Sequence, residues 1–349
     1  WKISWRVSSP PSMSAAAEPK RYLVVGPSWV GDMVMAQALF KTLRQREANC
    51  VIDVIAPQWS LPILQRMPEV RHGIGLPVGH GDFSFSVRRD LGKSLRQESY
   101  DQSIVLPRSF KSALVPYFSS AKTRTGYRGE MRYGLLNDIR PLDKLVLDQT
   151  VKRFVALGLN PGELPEAIPQ PVLTIDQKNQ QRLCSELSLD LSRPVIAMMP
   201  GASYGPAKCW PLEYFAELAA KLTERGNAVW VLGAAGDKSS GEQIIAGIES
   251  AKNLCGSTRL EDTADLLALS ATAVSNDSGL MHVAAASGVH VIAMFGSSSP
   301  AYTPALTNKK TIHYLNLECS PCFKRECPLT HLNCLRNINK LSNHLFFDQ

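Results

Sequence analysis

Residues 271–288 constrain this chain more than any other stretch. An apolar run, residues 271–275, gives way to the polar turn Asn276-Asp277-Ser278-Gly279, and the small-residue run 283–288 follows Leu280-Met281-His282. The pattern predicts the end of a buried strand, a sharp turn and a helix over 280–287, with Ala284, Ala285, Ala286 and Gly288 letting that helix lie close on a sheet. The first N–H groups of a helix have no internal partner, and the helix dipole adds partial positive charge there. A phosphate or pyrophosphate therefore fits beside Asp277, Ser278 and Gly279. The same residues also suit an ordinary helix cap, so the rest of the chain has to decide.

A second strand, glycine turn and helix opens the chain. Tyr22-Leu23-Val24-Val25 is a short buried strand, Gly26-Pro27-Ser28-Trp29-Val30-Gly31-Asp32 a turn, and residues 33–46 a helix. The turn lacks Gly-x-Gly-x-x-Gly, and no Gly-Lys-Ser/Thr follows, so neither a dinucleotide fingerprint nor a P-loop is present. Asp53 falls inside the next strand, 51–55, which makes it a poor ribose ligand. Asp32, in contrast, stands at the carboxyl end of the first strand, the edge where open parallel sheets place their chemistry. Further strands fit at 73–78 and 102–106, alternating with helices at 61–66, 88–97 and 110–118. Such alternation predicts a parallel sheet covered by helices.

Basic residues thicken across the same half. Arg108 and Lys111 follow a strand, and Arg124, Arg128 and Arg132 fall in a stretch, 123–132, read as a glycine-bearing loop. Arginine there can grip phosphate or carboxylate at two points. Between 160 and 174 the chain turns proline-rich and loses periodicity, the pattern of a linker. Alternation then restarts: helix 179–188, strand 195–199, helix 212–225, strand 228–232, helices 240–249 and 260–269, then the stretch described first and a strand over 289–295. Strand ends again carry polar glycine turns, Pro200-Gly201 through Lys208 and Gly233-Ala234-Ala235-Gly236-Asp237. Lys208 can neutralise a pyrophosphate, and Asp237 can meet a ribose or base.

The 349 residues suffice for two cores, and a formal net charge of +7 favours acidic partners such as nucleic acid, an anionic membrane face or a phosphorylated small molecule. No apolar run reaches bilayer length, since 283–295 is short and broken by Gly288 and His290, so no spanning helix is expected. Residues 1–12 carry no continuous apolar core of a secretory signal. A non-native or disordered lead over 1–20 is therefore expected, with Met13 as a natural start. The expected compartment is the cytoplasm, with the eight cysteines mostly reduced.

Gly26-Pro27-Ser28-Trp29-Val30-Gly31-Asp32-Met33, Ser109-Phe110-Lys111-Ser112, Arg124-Thr125-Gly126, Gly129-Glu130-Met131-Arg132-Tyr133-Gly134, Gly205-Pro206-Ala207-Lys208-x-Trp210-Pro211 and Asn276-Asp277-Ser278-Gly279-Leu280-Met281-His282 together resemble glycosyltransferase family 9, the ADP-heptose:lipopolysaccharide heptosyltransferases. The resemblance runs from about Arg21 to Pro304. It implies an α/β GT-B fold, two Rossmann-like parallel α/β/α domains facing each other across a cleft. The expected division is an acceptor domain over 21–160, a linker over 161–175, an ADP-heptose domain over 176–318 and a Cys-rich tail over 319–349. The implied reaction is inverting transfer of L-glycero-D-manno-heptose from ADP-heptose to the first heptose of Kdo2-lipid A, with no cofactor required and no nucleic acid as partner. It implies Asp32 as base and Lys208 as the charge on the leaving diphosphate. Gly201, Asp237, Asp277, Ser278, Gly279 and His282 would hold the donor, with His282 also readable as a packed helix histidine. Lys111, Arg124, Arg128 and Arg132 would meet the acidic groups of heptosyl-Kdo2-lipid A, at the cytoplasmic face of the inner membrane.

Two places depart from the family pattern. Cys209 stands where a basic residue is expected, and residues 335–349 are too polar and weakly periodic for the closing helix of a GT-B enzyme, so an altered or shortened terminus is expected. Cys319, Cys322, Cys327 and Cys334, with His331, begin like a metal knuckle, but their later spacings match no standard zinc pattern; reduced thiols without metal are the expectation. Three rival readings stay open: another family 9 heptosyltransferase with a different core acceptor, a non-catalytic ADP-sugar-binding protein, and a nucleotide-dependent oxidoreductase.

Overall fold

The computed structural model describes residues 18–79 and 81–338. Residues 1–17 of the expected lead and 339–349 of the expected tail lie outside the described residues. In chain order the first half holds β1 (Arg21–Val25), α1 (Val30–Arg46), β2 (Val51–Pro57), α2 (Leu61–Leu64), β3 (His72–Leu76), α3 (Phe85–Ser94), β4 (Gln102–Val105), α4 (Leu114–Phe118), β5 (Thr123–Tyr127), β6 (Asp138–Arg140) and α5 (Thr150–Leu157). The second half holds α6 (Gln177–Glu186), β7 (Val195–Met199), α7 (Leu212–Glu224), β8 (Ala228–Val231), α8 (Lys238–Ile245), β9 (Ala251–Asn253), α9 (Leu260–Leu269), β10 (Thr272–Asn276), α10 (Gly279–Ala286), β11 (His290–Phe295), β12 (Lys310–Tyr314) and α11 (Asn333–Arg336).

The strands form two six-stranded sheets, ordered β3-β2-β1-β4-β5-β6 and β12-β11-β10-β7-β8-β9. Every pairing in both sheets is parallel. Each order reverses direction once, between β1 and β4 and between β7 and β10, and an open parallel sheet binds ligands outside the carboxyl ends of its strands at such a switch point. Central strands are covered on both faces, so their residues are apolar without alternation. Leu23 and Val24 are both fully buried, as are Ala197, Met198 and Met199. Each fully buried Leu or Met contributes about 1.5–3 kcal/mol relative to exposure.

Helix α1 is covered by α5 and α10 and buries Met33 through Phe40 without interruption. Asp32 in its first turn and Arg44 and Arg46 in its last complement the helix dipole. Buried Gln37 donates from Nε2 to the Val172 carbonyl at 2.8 Å and accepts the Val172 N–H at 2.9 Å. That amide pair fastens the proline-rich stretch to α1. The stretch then pairs with both halves: Leu173 N–H donates to Ala286 O and Thr174 N–H to Arg66 O. Arg66 in turn forms an ion pair at 2.5 Å with the fully buried carboxylate of Asp265 on α9. The Asp265 carboxylate also accepts from Asp176 N–H and Asn179 Nδ2, so it is fully engaged at the junction of the halves.

The expected loop over 123–132 is corrected: its first five residues are strand β5, with Thr125, Gly126 and Tyr127 buried. Strands β6, β9 and β12 and helix α5 were not foreseen. β6, β9 and β12 are edge strands, β6 and β9 of only three residues each, and polar residues break their hydrophobic pattern. At the carboxyl end, Leu335 and Ile338 are fully buried against the second sheet. Among the described residues no helix is long and apolar enough to cross a membrane.

Candidate active site

The carboxyl edges of the two sheets enclose a cavity of about 610 Å³. Asp32 reaches it from the first half, and Gly201, Lys208, Asp237, Asp277, Ser278, Gly279 and His282 reach it from the second. The structure thus brings together all eight residues read from the sequence as base, charge neutraliser and donor ligands. The turns after β1, β7, β8 and β10 deliver them, each leaving its strand at the same edge.

Lys208 Nζ lies 2.5 Å from Asp277 Oδ2, and the Ser298 hydroxyl donates to the same oxygen. The ammonium also sits 5.1 Å from the centre of the Tyr204 ring. Its charge is therefore fixed at the cavity wall rather than free to sweep solvent. Asn276 positions this corner: it is fully buried, donates from Nδ2 to Pro200 O at 2.6 Å and accepts Trp210 N–H at 2.8 Å, tying the end of β10 to the turn after β7. Ser278 precedes α10 without a side-chain cap, which leaves the first amides of that helix directed at the cavity corner.

Asp32 is half-buried in the first turn of α1. Burial pushes its pKa up to about 6; the Lys208 charge lowers it and the Asp277 charge raises it, both by less. His282 is buried, and burial lowers its pKa to about 4, with Asp277 raising and Lys208 further lowering it. It is therefore a neutral ring at pH 7. A Cβ on Gly31 would stand 2.7 Å from His282 Cδ2 and 3.3 Å from Gly279 Cα, so α1 and α10 approach to a separation that only glycine permits. Asp237 accepts Ala234 N–H at 2.9 Å, and a Cβ on Gly201 or Gly233 would strike its carboxylate, so two bare backbone positions make room for it.

The acceptor candidates fare differently, and none of the four lines the cavity. Arg132 is corrected: only 2% exposed, it donates to Pro107 O at 2.7 Å and to Tyr127 O and braces the loop between β5 and β6. Burial lowers its pKa to about 10. β5 puts Arg124 at the amino end of the strand, away from the edge that carries Asp32. Its guanidinium donates to Leu135 O at 2.7 Å and Ala121 O at 2.9 Å. Arg128, exposed just beyond β5, and half-buried Lys111, in the turn after β4, remain at the carboxyl edge.

Tyr204, Thr258, Arg259, Thr263, Ser298, Tyr302, Thr303 and Phe323 also line the cavity and were not singled out from the sequence. Tyr204 lay in a turn already noticed, and Thr258-Arg259 immediately precedes a well-patterned helix, so both had a signal. Tyr302 and Phe323 had none, since irregular backbone brings them in. Phe323 N–H donates to Ser297 O at 2.6 Å, and its carbonyl accepts the Tyr204 hydroxyl at 2.8 Å. The Cys-rich segment is thereby part of the cavity wall. Its Cys319, Cys322, Cys327 and Cys334 thiols, with His331, border a gap of about 20 Å³ beside Ala207 and Ser297. Among the described residues, no group of three or more His, Cys, Asp or Glu side chains is arranged to hold a metal ion.

Two kinds of comparison bear on this arrangement. The chain is 46% identical over 303 residues to lipopolysaccharide heptosyltransferase 2 of Salmonella typhimurium, covering 84% of this chain and 87% of the relative. It is 45% identical over 303 residues to lipooligosaccharide heptosyltransferase 2 of Haemophilus influenzae, covering 83% and 87%. The solved structure of ADP-heptose lipopolysaccharide heptosyltransferase II of E. coli superposes with a TM-score of 0.79 at 41% identity, covering 93% of this chain and 99% of that one. The two facing parallel sheets are accordingly the GT-B architecture. The sequence model of glycosyltransferase family 9 (heptosyltransferase) matches residues 88–333. The chain belongs to glycosyltransferase family 9, the heptosyltransferases.

Proposed function

We propose that this chain is an inverting heptosyltransferase that moves L-glycero-D-manno-heptose from ADP-heptose to the first heptose of Kdo2-lipid A. The observation that carries the reading is the meeting, in one cavity, of a carboxylate from the first sheet with an ammonium and a helix amino terminus from the second. The acceptor hydroxyl oxygen attacks the anomeric carbon while the bond from that carbon to the diphosphate oxygen breaks on the opposite face. The hydroxyl proton passes to Asp32, whose raised pKa makes it a better base than an exposed aspartate. Lys208 and the amides at Ser278 and Gly279 take up the charge developing on ADP. This chemistry asks no metal of the protein. Asp277 orients Lys208 and neutral His282 holds α10 against α1. Lys111 and Arg128 are positioned to meet acidic groups of heptosyl-Kdo2-lipid A, and a lipid acceptor places the enzyme on the cytoplasmic face of the inner membrane.

The test is ADP release from ADP-heptose with heptosyl-Kdo2-lipid A and, in parallel, with Kdo2-lipid A, for the wild type and Asp32→Ala. Turnover only with the heptosylated acceptor, abolished in the variant while donor still binds, is expected. Turnover with the bare acceptor would reassign the enzyme to the first heptose. Donor binding without turnover on either acceptor would leave a binding protein.

A further inference from the structure

The segments after β3 and β4 leave the first sheet at the edge that carries Asp32, and together they build a row of aromatic rings outside the cavity. Phe83 stacks on Phe85 with centroids 6.3 Å apart and on Phe110 at 6.4 Å. Phe85 meets the edge of Phe118 at 5.7 Å, and Phe118 meets Tyr117 at 5.3 Å. Soluble surfaces scatter their large apolar residues singly, yet here Phe83, Phe85 and Tyr117 stand 51%, 43% and 44% exposed within one connected row.

The row is built and not an accident of a loose loop. Arg88, buried on α3, donates from Nε to Phe83 O at 2.8 Å and from Nη2 to Asp82 O at 3.2 Å, and Arg96 donates to Phe118 O at 2.9 Å. Ser84 adopts a left-handed backbone at φ 42°, a strained conformation that turns the chain into α3 between Phe83 and Phe85. Along the chain, residues 85–132 hold ten Lys and Arg against four Asp and Glu, of which Arg88 and Arg132 are buried, and exposed Asp82 adjoins Phe83. On α3 itself, Lys93 is exposed, and half-exposed Arg89 pairs with Asp90 at 2.8 Å.

Aromatic rings flanked by lysine and arginine are the composition of a surface that seats at the headgroup level of an anionic bilayer. The rings enter the interfacial region and the cations meet lipid phosphates. We infer that the ledge formed by Phe83, Phe85 and Phe110, with Arg89 and Lys93 on α3, docks the enzyme on an anionic lipid surface, so that the lipid-borne acceptor enters the cleft from the side of Asp32. The inference rests on the acceptor being a membrane lipid, as proposed above.

The test is co-sedimentation of the full chain with vesicles of phosphatidylcholine, alone or mixed with phosphatidylglycerol. The wild type should pellet with the mixed vesicles and far less with the neutral ones. Phe83→Ser/Phe85→Ser and Arg89→Glu/Lys93→Glu should each bind the mixed vesicles at least about tenfold more weakly. Phe85→Trp, which keeps an interfacial ring, should bind like the wild type and guards against misfolding of the serine variant. Turnover on heptosyl-Kdo2-lipid A stripped of its acyl chains should be unchanged in all of them. Wild-type indifference to the mixed vesicles, or undiminished binding by both double variants, would overturn the inference while leaving turnover intact. Vesicle binding lost in the double variants, with no wild-type turnover on any acceptor, would support the surface and sink the reading of the reaction.

Discussion

Asp32 shows how one half-buried carboxylate ties stability to chemistry. Its pKa, raised to about 6 by burial, means the folded state holds that proton more tightly than the unfolded chain. The group's contribution to stability is therefore complete below about pH 4 and is lost as pH rises through 6. Asp32→Asn should accordingly melt higher than the wild type at pH 8, by at most about 3 kcal/mol, and no higher at pH 4, as calorimetry at the two pH values would reveal. The same variant should lose about 10²- to 10⁴-fold in kcat. Wild-type kcat/KM should fall as pH drops through about 6, because the protonated carboxyl cannot accept the acceptor's proton, whereas the residual rate of Asp32→Asn should lack that limb. In the proposed mechanism Lys208→Met leaves the diphosphate without its ammonium, and Asp277 with the Ser298 hydroxyl alone; a loss of about 10²- to 10³-fold in kcat is the expected outcome of single-turnover kinetics.

Among the elements, α1 and α10 matter most, because they carry the proposed base and the proposed diphosphate-binding turn and touch through Gly31, Gly279 and His282. Gly31→Ala should force the helices apart by a methyl group, costing about 1–3 kcal/mol of stability and raising the donor KM without moving the pH limb set by Asp32. A variant that melts and turns over like the wild type would show that this contact is slack. Part of the fold was legible in the sequence. β7 over Val195–Met199 and α9 over Leu260–Leu269 have the boundaries their patterns predict, since Pro194 and Pro200-Gly201 bound an apolar run too short for a helix, and a 3.6-residue period fits only a helix. β5 was hidden because Thr123 and Arg124 precede its buried residues.

Across the whole molecule, a polar seam joins the two halves. Asp265 is fully buried and takes Arg66 from the other half. Removing one partner of a buried pair strands the other charge, so Arg66→Met should cost about 3–5 kcal/mol in urea unfolding. Arg66→Met/Asp265→Asn should recover part of that loss, and equal destabilisation by the single and double variants would place the energy elsewhere.

The sequence alone determined that the chain is two successive parallel α/β halves and that Asp32, Lys208 and the Asp277-Ser278-Gly279 turn stand at strand ends. Strand, turn and helix signals are local, and the topology of a parallel sheet forces all its carboxyl ends to one edge. Only the tertiary structure decided which strand ends meet, because that depends on pairing residues far apart in the chain. It brought the Lys208 ammonium onto Asp277, folded the Cys-rich segment back so that Phe323 walls the cavity, and turned Arg132 inward to brace a loop. A lone arginine or phenylalanine in an irregular stretch has the same local pattern whether it is buried, lines a cleft or faces a membrane. Long-range packing makes that choice.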